Sequence, residues 1–312
     1  GGPPLNIQKC IYLLALSSIL VACATTQLNL PSVTTSGQGE SLPGKVVWHD
    51  LLSDTPGETR VFYAELFDWE FKSLDAVGGN YEIISHNGKA IGGMVDQTRL
   101  PTTADISQWV VILAVADVTA ATDAVLGAGG TVFTPPTSLG SRGEIAVVAD
   151  PQGAIVALLQ TGGDDPADDA AGVANGDFLW NELWTADVDT ATEFYQDIAP
   201  YTLEKLTFNA AGSNIPYRVL SSQGRPRVGI RSNPVPDSSP RWQSYLRVDS
   251  LGAMEAILSR VPELGGSVLM IATERPEGGY VSVIEDPSGA VVALQTWPMG
   301  SAHRNIAEKG GR

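Results

Sequence analysis

Apolar and polar positions along the chain follow two periods that alternate in a fixed order. Residues 46–52 read as a strand, 56–66 as a helix, and 69–74, 80–86 and 89–95 as three further strands. The order then recurs: strand 109–115, helix 118–127, and strands near 131–134, 144–149 and 154–160. In the stretch from Trp109 to Ala114, Val110, Ile112 and Ala114 fall on one face and Trp109, Val111 and Leu113 on the other. Such a two-residue period is that of a strand covered on both sides. Gly129-Gly130 stops the second helix. Asp150-Pro151-Gln152-Gly153 predicts a hairpin turn, because Pro fixes φ and Gly permits a positive one.

The whole pattern occurs twice. Lys45 to Tyr63 reads KVVWHDLLSDTPGETRVFY and Asp177 to Tyr195 reads DFLWNELWTADVDTATEFY. Trp48 answers to Trp180, Phe62-Tyr63 to Phe194-Tyr195, and Tyr81 to Tyr217. Trp109 answers to Trp242, Gly129-Gly130 to Gly265-Gly266, and Asp150-Pro151 to Asp286-Pro287. A near-constant offset over so many landmarks marks an internal repeat. It places module 1 at 44–161 and module 2 at 175–297, with an acidic linker at 162–174 and a tail at 298–312.

Phe-Tyr late in the first helix, the following Leu66-Phe67-Asp68-Trp69, the Gly-Gly pair and the Asp-Pro-x-Gly-Ala hairpin resemble the vicinal-oxygen-chelate superfamily, that of glyoxalases, bleomycin-resistance proteins and extradiol dioxygenases. The resemblance covers nearly all of 44–297. It implies an α+β fold of two tandem glyoxalase-like modules, each a pair of βαβββ units forming an open barrel. It also implies a substrate held in that barrel. Many members of the superfamily chelate vicinal oxygens on a divalent metal, whereas others sequester a drug without one.

The ligand positions implied by the resemblance carry no ligands here. The first-strand position falls on Trp48 and Trp180, and the late Glu position on Ala157 and Ala293. The middle-strand position falls near Val111 and near Ser244, or Gln243 if the register slips by one. None of these side chains suits a metal, so neither a metal nor another cofactor is expected. The histidines are His49, His86 and His303. His49 adjoins Trp48 and so should point to the opposite, helix-facing side. His86 sits in a turn and is expected to be solvated, and His303 lies in the tail.

If Trp48 and Trp180 face the barrel, Asp50, Glu182 and Trp184 do so by alternation. Trp109 and Trp242 begin the matching strands. Trp48, Trp109, Trp180, Trp184 and Trp242 are the candidate ligand-binding residues, with packing as core the other reading. They suit a small aromatic or cationic molecule. Asp50 and Glu182 are the candidate catalytic bases, should burial raise their pKa. Arg142 could reach an anionic group, though a surface role fits it better.

The N-terminus adds a location. Residues 11–22 form an apolar run after Lys9, too short to span a bilayer comfortably. Leu20-Val21-Ala22-Cys23 resembles a lipobox, implying a signal peptide over 1–22, lipidation at Cys23 and anchoring in the cell envelope, at the periplasmic face of the outer membrane. Cys10, the other cysteine, would be removed. Residues 23–43 read as a flexible tether. The net charge of −16 and the lack of a basic stripe exclude nucleic acid as a partner. Three functions remain open: a metal-independent small-molecule-binding lipoprotein, a lyase, isomerase or dioxygenase-type enzyme using a relocated metal or the two carboxylates, or a scaffold at the outer membrane whose barrels are filled. In each, the modules pair within the chain.

Overall fold

The computed structural model describes residues 28–34, 39–74, 80–100, 102–168, 172–210, 212–235, 237–275 and 278–296. Cys10, Cys23, His303 and the tail from 298 on lie outside them. Each module is one eight-stranded sheet. In module 1 the strands are β1 (Val46–Ser53), β2 (Glu70–Ser73), β3 (Tyr81–His86), β4 (Lys89–Asp96), β5 (Gln108–Ala114), β6 (Thr131–Ser138), β7 (Gly143–Ala149) and β8 (Ile155–Thr161). Their order is β2-β3-β4-β1-β5-β8-β7-β6. Module 2 repeats it with β9 (Phe178–Thr185), β10 (Thr202–Ala210), β11 (Ser213–Ser222), β12 (Arg225–Ser232), β13 (Arg241–Val248), β14 (Ser267–Glu274), β15 (Tyr280–Glu285) and β16 (Val291–Thr296), in the order β10-β11-β12-β9-β13-β16-β15-β14. Each sheet joins two βαβββ units through its central antiparallel pair, β1 with β5 and β9 with β13.

The four crossover helices are cut by local chemistry. Pro56 opens α1 (Pro56–Phe67), and Asp68 closes it in the left-handed conformation. Asp117, Asp187 and Ser250 cap α2 (Val118–Gly127), α3 (Val188–Ile198) and α4 (Leu251–Arg260), each side chain accepting from a backbone N–H three residues on. Gly129 and Gly265 then turn the chain at a φ of 83°.

The central strands are buried on both faces, and four apolar clusters result. On one face of each sheet lies a barrel core. Trp48, Tyr81, Ile112, Val147, Ala157 and Leu159 belong to that of module 1, and Trp180, Trp184, Tyr217, Tyr245, Val283 and Ala293 to that of module 2. On the other face the modules pack helix side to helix side. Phe62, Tyr63, Trp69 and Trp109 of module 1 meet Leu246, Met254, Ile284 and Leu294 of module 2. Val111, Val118, Val125 and Val148 meet Phe194, Tyr195, Leu220 and Trp242.

The repeated motifs are the lock of this interface. A Cβ on Gly266 would stand 2.5 Å from the Phe62 ring, and one on Gly130 would stand 2.9 Å from that of Phe194. The second Gly of each pair therefore makes room for the Phe of the opposite module. Trp109 Nε1 donates to Tyr63 Oη at 2.9 Å, and Tyr63 Oη donates to Asp286 at 2.9 Å. The mirror chain runs from Trp242 through Tyr195 to Asp150, at 3.0 and 3.4 Å. Both aspartates also close their Asp-Pro hairpins, each accepting two backbone N–H groups. Between the two locks, His49 Nε2 bonds Asn181 Oδ1 at 2.9 Å, and its ring stacks on Phe178 at 3.6 Å. His49 and Asn181 are equivalent positions of the repeat, so they meet at the pseudo-twofold centre.

Several expectations are corrected. Trp109 and Trp242 lie at the module interface, not in the barrels, because they share a face with His49's side of the sheet. His86 is buried rather than solvated: the 176–177 stretch covers it, and its Nδ1 bonds Asp177 at 2.6 Å. Arg142 is 1% exposed, not a surface residue. The described part of the tether is anchored, since Leu30 and Val33 are buried in the module 1 core and Leu42 is buried as well. Linker residue Asp168 ties the modules together, pairing with Lys45 at 3.2 Å and Arg227 at 2.6 Å.

Candidate functional site

Both barrels centre on one carboxylate from the first strand of the module, and a two-residue spacing sets its neighbours. In module 2, Trp180, Glu182 and Trp184 project from β9 into the barrel. Glu182 is fully buried. Tyr217 Oη donates to Oε1 at 2.8 Å, Tyr245 Oη to Oε2 at 2.6 Å, and Trp184 Nε1 to Oε2 at 3.1 Å. Trp180 Nε1 in turn donates to Tyr217 Oη at 2.9 Å. Gly229 lies beside Glu182 on β12. A Cβ there would fall 2.1 Å from Tyr217 Oη, so only glycine lets the phenol reach across.

Charge is arranged around that carboxylate. Burial pushes the Glu182 pKa up, but Arg275 and Arg231, with the Tyr245 and Trp184 hydrogen bonds, outweigh it and hold it below the usual carboxylate value. The same burial and carboxylate push the Tyr217 and Tyr245 phenols well up. The site at neutral pH is thus an ionised carboxylate held by two protonated phenols. Arg275 Nη1 donates to Gln295 Oε1, and the Arg241 guanidinium stacks on Trp184 at 5.0 Å.

Module 1 has the same core. Tyr81 Oη donates to Asp50 Oδ1 at 2.6 Å, and Trp48 Nε1 lies 3.0 Å from that oxygen and 2.9 Å from Tyr81 Oη. Gly93 is the matching glycine. Here burial prevails over Arg142, Tyr81 and Trp48, and the Asp50 pKa is raised. Around this core the two barrels part. The positions of Leu52 and Val95 in module 1 are Trp184 and Arg231 in module 2. Val110 and Ile112 become Gln243 and Tyr245. Ala114 and Leu159 become Arg247 and Gln295.

A divalent metal does not fit these residues. The strands set Trp48 beside Ile112 and Ile112 beside Ala157, and likewise Trp180, Tyr245 and Ala293. This moves the expected middle-strand position by one residue: Val111 belongs to the interface core, and Ser244 donates to Asn181 there. Tryptophan, isoleucine and alanine offer no donor atom, and Tyr245 is a protonated phenol engaged with Glu182. Among the described residues no three His, Cys, Asp or Glu are grouped to hold a metal ion.

The structure thus brings Trp48 with Asp50, and Trp180 with Glu182 and Trp184. It separates Trp109 and Trp242 from them. The residues missed were Tyr81, Tyr217, Tyr245, Arg231 and Arg275, and the sequence suggests Gln243 only as a slipped-register metal position. Tyr81 and Tyr217 had a signal, since both recur in the repeat with a glycine twelve residues on.

Known proteins share this architecture. A Mn(II)-bound glyoxalase from Novosphingobium aromaticivorans superposes with a TM-score of 0.55 at 15% identity, over 82% of this chain and 83% of its own. In sequence, the protein named "Putative glyoxylase CFP32" of Mycobacterium bovis is 30% identical over 261 residues, 82% of this chain and 96% of the relative. The anthracycline biosynthesis protein DauV of Streptomyces sp. (strain C5) is 29% identical over 266 residues, 80% of this chain and 91% of the relative. The profile of the glyoxalase/bleomycin resistance protein/dioxygenase superfamily matches residues 178–294. With the doubled βαβββ sheets and their interlocking motifs, these likenesses establish that the chain belongs to the glyoxalase/bleomycin resistance protein/dioxygenase superfamily.

Proposed function

We propose that the chain is a metal-independent small-molecule-binding member of its superfamily, with the ligand held in the barrel of module 2. The observation that carries this reading is the exchange of apolar for polar residues around Glu182. Barrel positions that are Val110, Ile112 and Leu159 in module 1 are Gln243, Tyr245 and Gln295 in module 2. Buried polar groups cost stability unless they serve something, and a cluster of them between aromatic walls fits a ligand site.

The ligand class follows from the charges. Glu182 already accepts three hydrogen bonds and faces Arg231 and Arg275. A cationic ligand finds no uncompensated carboxylate. A flat neutral or anionic aromatic molecule suits the tryptophan faces and the guanidinium groups. The name of the streptomycete relative, which points to anthracycline biosynthesis, is in keeping with an aromatic class.

Calorimetry with 1-hydroxy-2-naphthoate and with benzyltrimethylammonium tests this. Saturable one-to-one binding of the naphthoate alone is expected, accompanied by tryptophan quenching. It should be lost when module 2 receives the residues of module 1 through Trp184→Leu with Arg231→Val. Equal binding by that double variant would sink the assignment. Elemental analysis of protein purified without chelator should find no stoichiometric Mn, Fe, Ni or Zn; a full equivalent would overturn the metal-independent reading.

A second reading keeps an enzyme. The raised pKa of Asp50 favours proton transfer there. Glu182, held ionised and fully hydrogen-bonded, is the poorer base. Turnover of a carbon acid that survives Asp50→Asn combined with Glu182→Gln would exclude both carboxylates. Lipid attachment at Cys23 and residence in the cell envelope belong to the same proposal. Incorporation of labelled palmitate, abolished by Cys23→Ser, is the result expected.

A further inference from the structure

The barrel of module 1 is covered by its own chain. Residues 28–33 form no helix or strand, yet Leu30 and Val33 are buried with Trp48, Tyr81, Ile106, Leu139 and Ile145. Asn29, Pro31 and Ser32 between them stay exposed. The strap is fixed by polar contacts to the loop after β6. Leu30 N donates to Leu139 O at 2.9 Å, Ser141 N to Asn29 Oδ1 at 3.0 Å, and Ser32 Oγ to Ser141 O at 3.1 Å.

Arg142 marks what lies beneath. Its guanidinium is buried over the rings of Trp48 and Tyr81, at 4.6 and 5.3 Å. Nη1 donates to Tyr81 Oη at 2.7 Å, and Nε donates to the Pro31 carbonyl at 3.0 Å. Nη2 is buried and has no hydrogen-bond partner. Nε and Nη2 are the two donors of one guanidinium edge, which a carboxylate engages in parallel and a single carbonyl only by half. Leaving such a donor unmet in the interior is costly. The walls beyond it are Ile112, Val147 and Leu159.

We propose that residues 28–33 act as an internal ligand of module 1, occupying a second binding site for an elongated apolar carboxylate. The carboxylate takes both Nε and Nη2 of Arg142 in place of the Pro31 carbonyl. Its tail takes the places of Leu30 and Val33. A short strap with half its residues exposed opens far more readily than the fold. Apparent affinity is then the intrinsic affinity scaled by the fraction of strap that is open.

Full-length protein with dodecanoate as probe, and dodecanol as the matching tail without a carboxylate, tests this. Leu30→Asp with Val33→Asp unseats the strap. The variant is expected to bind dodecanoate at least about tenfold more tightly than wild type, because the strap no longer competes. Adding Arg142→Lys, which keeps the charge but not the fork, should remove that gain. In wild-type protein, saturating dodecanoate should speed hydrogen exchange of the Leu30 amide, and dodecanol should not. This second measurement decides the matter if the unseated variant does not fold. No gain in affinity by a folded unseated variant, equal binding of dodecanol, or an unchanged Leu30 exchange rate would each overturn the proposal. None of these readouts depends on the module 2 barrel, so they stand apart from the naphthoate experiment.

Discussion

The two barrels are built on one pattern and diverge only outside its innermost part. Each holds a tryptophan, a carboxylate, a tyrosine and a glycine in the same register. In module 1 this polar core sits in an apolar barrel, closed by the strap and by one buried arginine. In module 2 it extends to Tyr245 and is surrounded by Gln295 and arginines, with Gln243 beside it donating to the Ser244 and Val291 carbonyls. Repetition thus fixes the fold and the central carboxylate, and the surrounding residues decide whether a barrel is closed by its own chain or kept polar. Fold alone does not decide function, so the proposed ligand site is sought in the difference between the two copies of the fold.

The sharpest way to break the comparison is to neutralise each carboxylate. Glu182→Gln leaves Arg231 and Arg275 facing a buried neutral group. Removing one partner from a buried charge network costs about 3–5 kcal/mol. Asp50→Asn, at a half-buried carboxyl with a raised pKa, should cost about 2 kcal/mol, the scale of one charge-assisted hydrogen bond. Urea unfolding of the two variants reads the gap. Equal losses would mean that the arginines around Glu182 do not set module 2 apart.

A pH titration probes what the two modules share. Burial depresses the His49 pKa to about 4, partly opposed by the Asn181 hydrogen bond. The folded state therefore holds His49 neutral, while the unfolded chain protonates near the ordinary value of about 6.5. The unfolded state binds more protons between these values, so stability is complete above about pH 6.5 and falls as pH drops toward 4. The loss approaches about 3 kcal/mol at the lower end. His49→Asn should flatten that segment of the profile. A slope unchanged by the substitution would place the titrating group elsewhere.

How much of this could be read from sequence depends on period. The strand alternation put Trp48, Asp50, Trp180, Glu182 and Trp184 on one face and His49 on the other, and the structure agrees because side-chain direction within one strand is a local property. Trp109 and Trp242 were misplaced because facing residues on neighbouring strands depend on register, which the repeat does not supply. Arg142 and Arg275 lie in or beside connections, where no period operates. The strap was invisible for another reason. A Ser-, Thr- and Gly-rich stretch with a few apolar residues has tether composition, and nothing in it reveals that a barrel mouth lies within reach.

The paired glycines sharpen the comparison at smaller cost. Alanine at Gly229 would drive a Cβ into Tyr217 Oη, and alanine at Gly93 into Tyr81 Oη and Asp50 Oδ1 together. Overpacking of this kind costs about 1–3 kcal/mol. Gly93→Ala should cost more, because Tyr81 is also tied to Arg142, which in turn holds the strap. Thermal melts give the order, and exchange at the Leu30 amide should quicken only in the Gly93 variant. The reverse order would show that Tyr81 and the strap are not coupled.

The smallest effect concerns the interface, where the two locks are nearly but not wholly alike. Tyr63 reaches Asp286 at 2.9 Å, whereas Tyr195 reaches Asp150 at 3.4 Å. The longer bond is close to the limit of a useful one. Tyr63→Phe removes a good donor from a buried aspartate and an acceptor from Trp109. Tyr195→Phe removes a poor donor and a comparable acceptor, that of Trp242 at 3.0 Å. The expected difference is about 1 kcal/mol, with Tyr63→Phe the more damaging. Burial raises the pKa of both aspartates, and the tyrosine bond is one of the contacts opposing that rise. Loss of Tyr63 should therefore push the Asp286 pKa further up, and loss of Tyr195 should move Asp150 less. A carboxylate whose folded pKa is raised takes up its proton in the folded state first, so stability is gained as pH falls through that pKa, and the Tyr63 variant should begin to regain stability on acidification at the higher pH of the two. Naphthoate binding should stay unchanged in both, since Trp109 and Trp242 belong to the lock and not to the barrels. A Tyr63 variant with weakened naphthoate binding would instead mean that interface and barrel form one cooperative unit, and that the two faces of each sheet cannot be assigned separate roles.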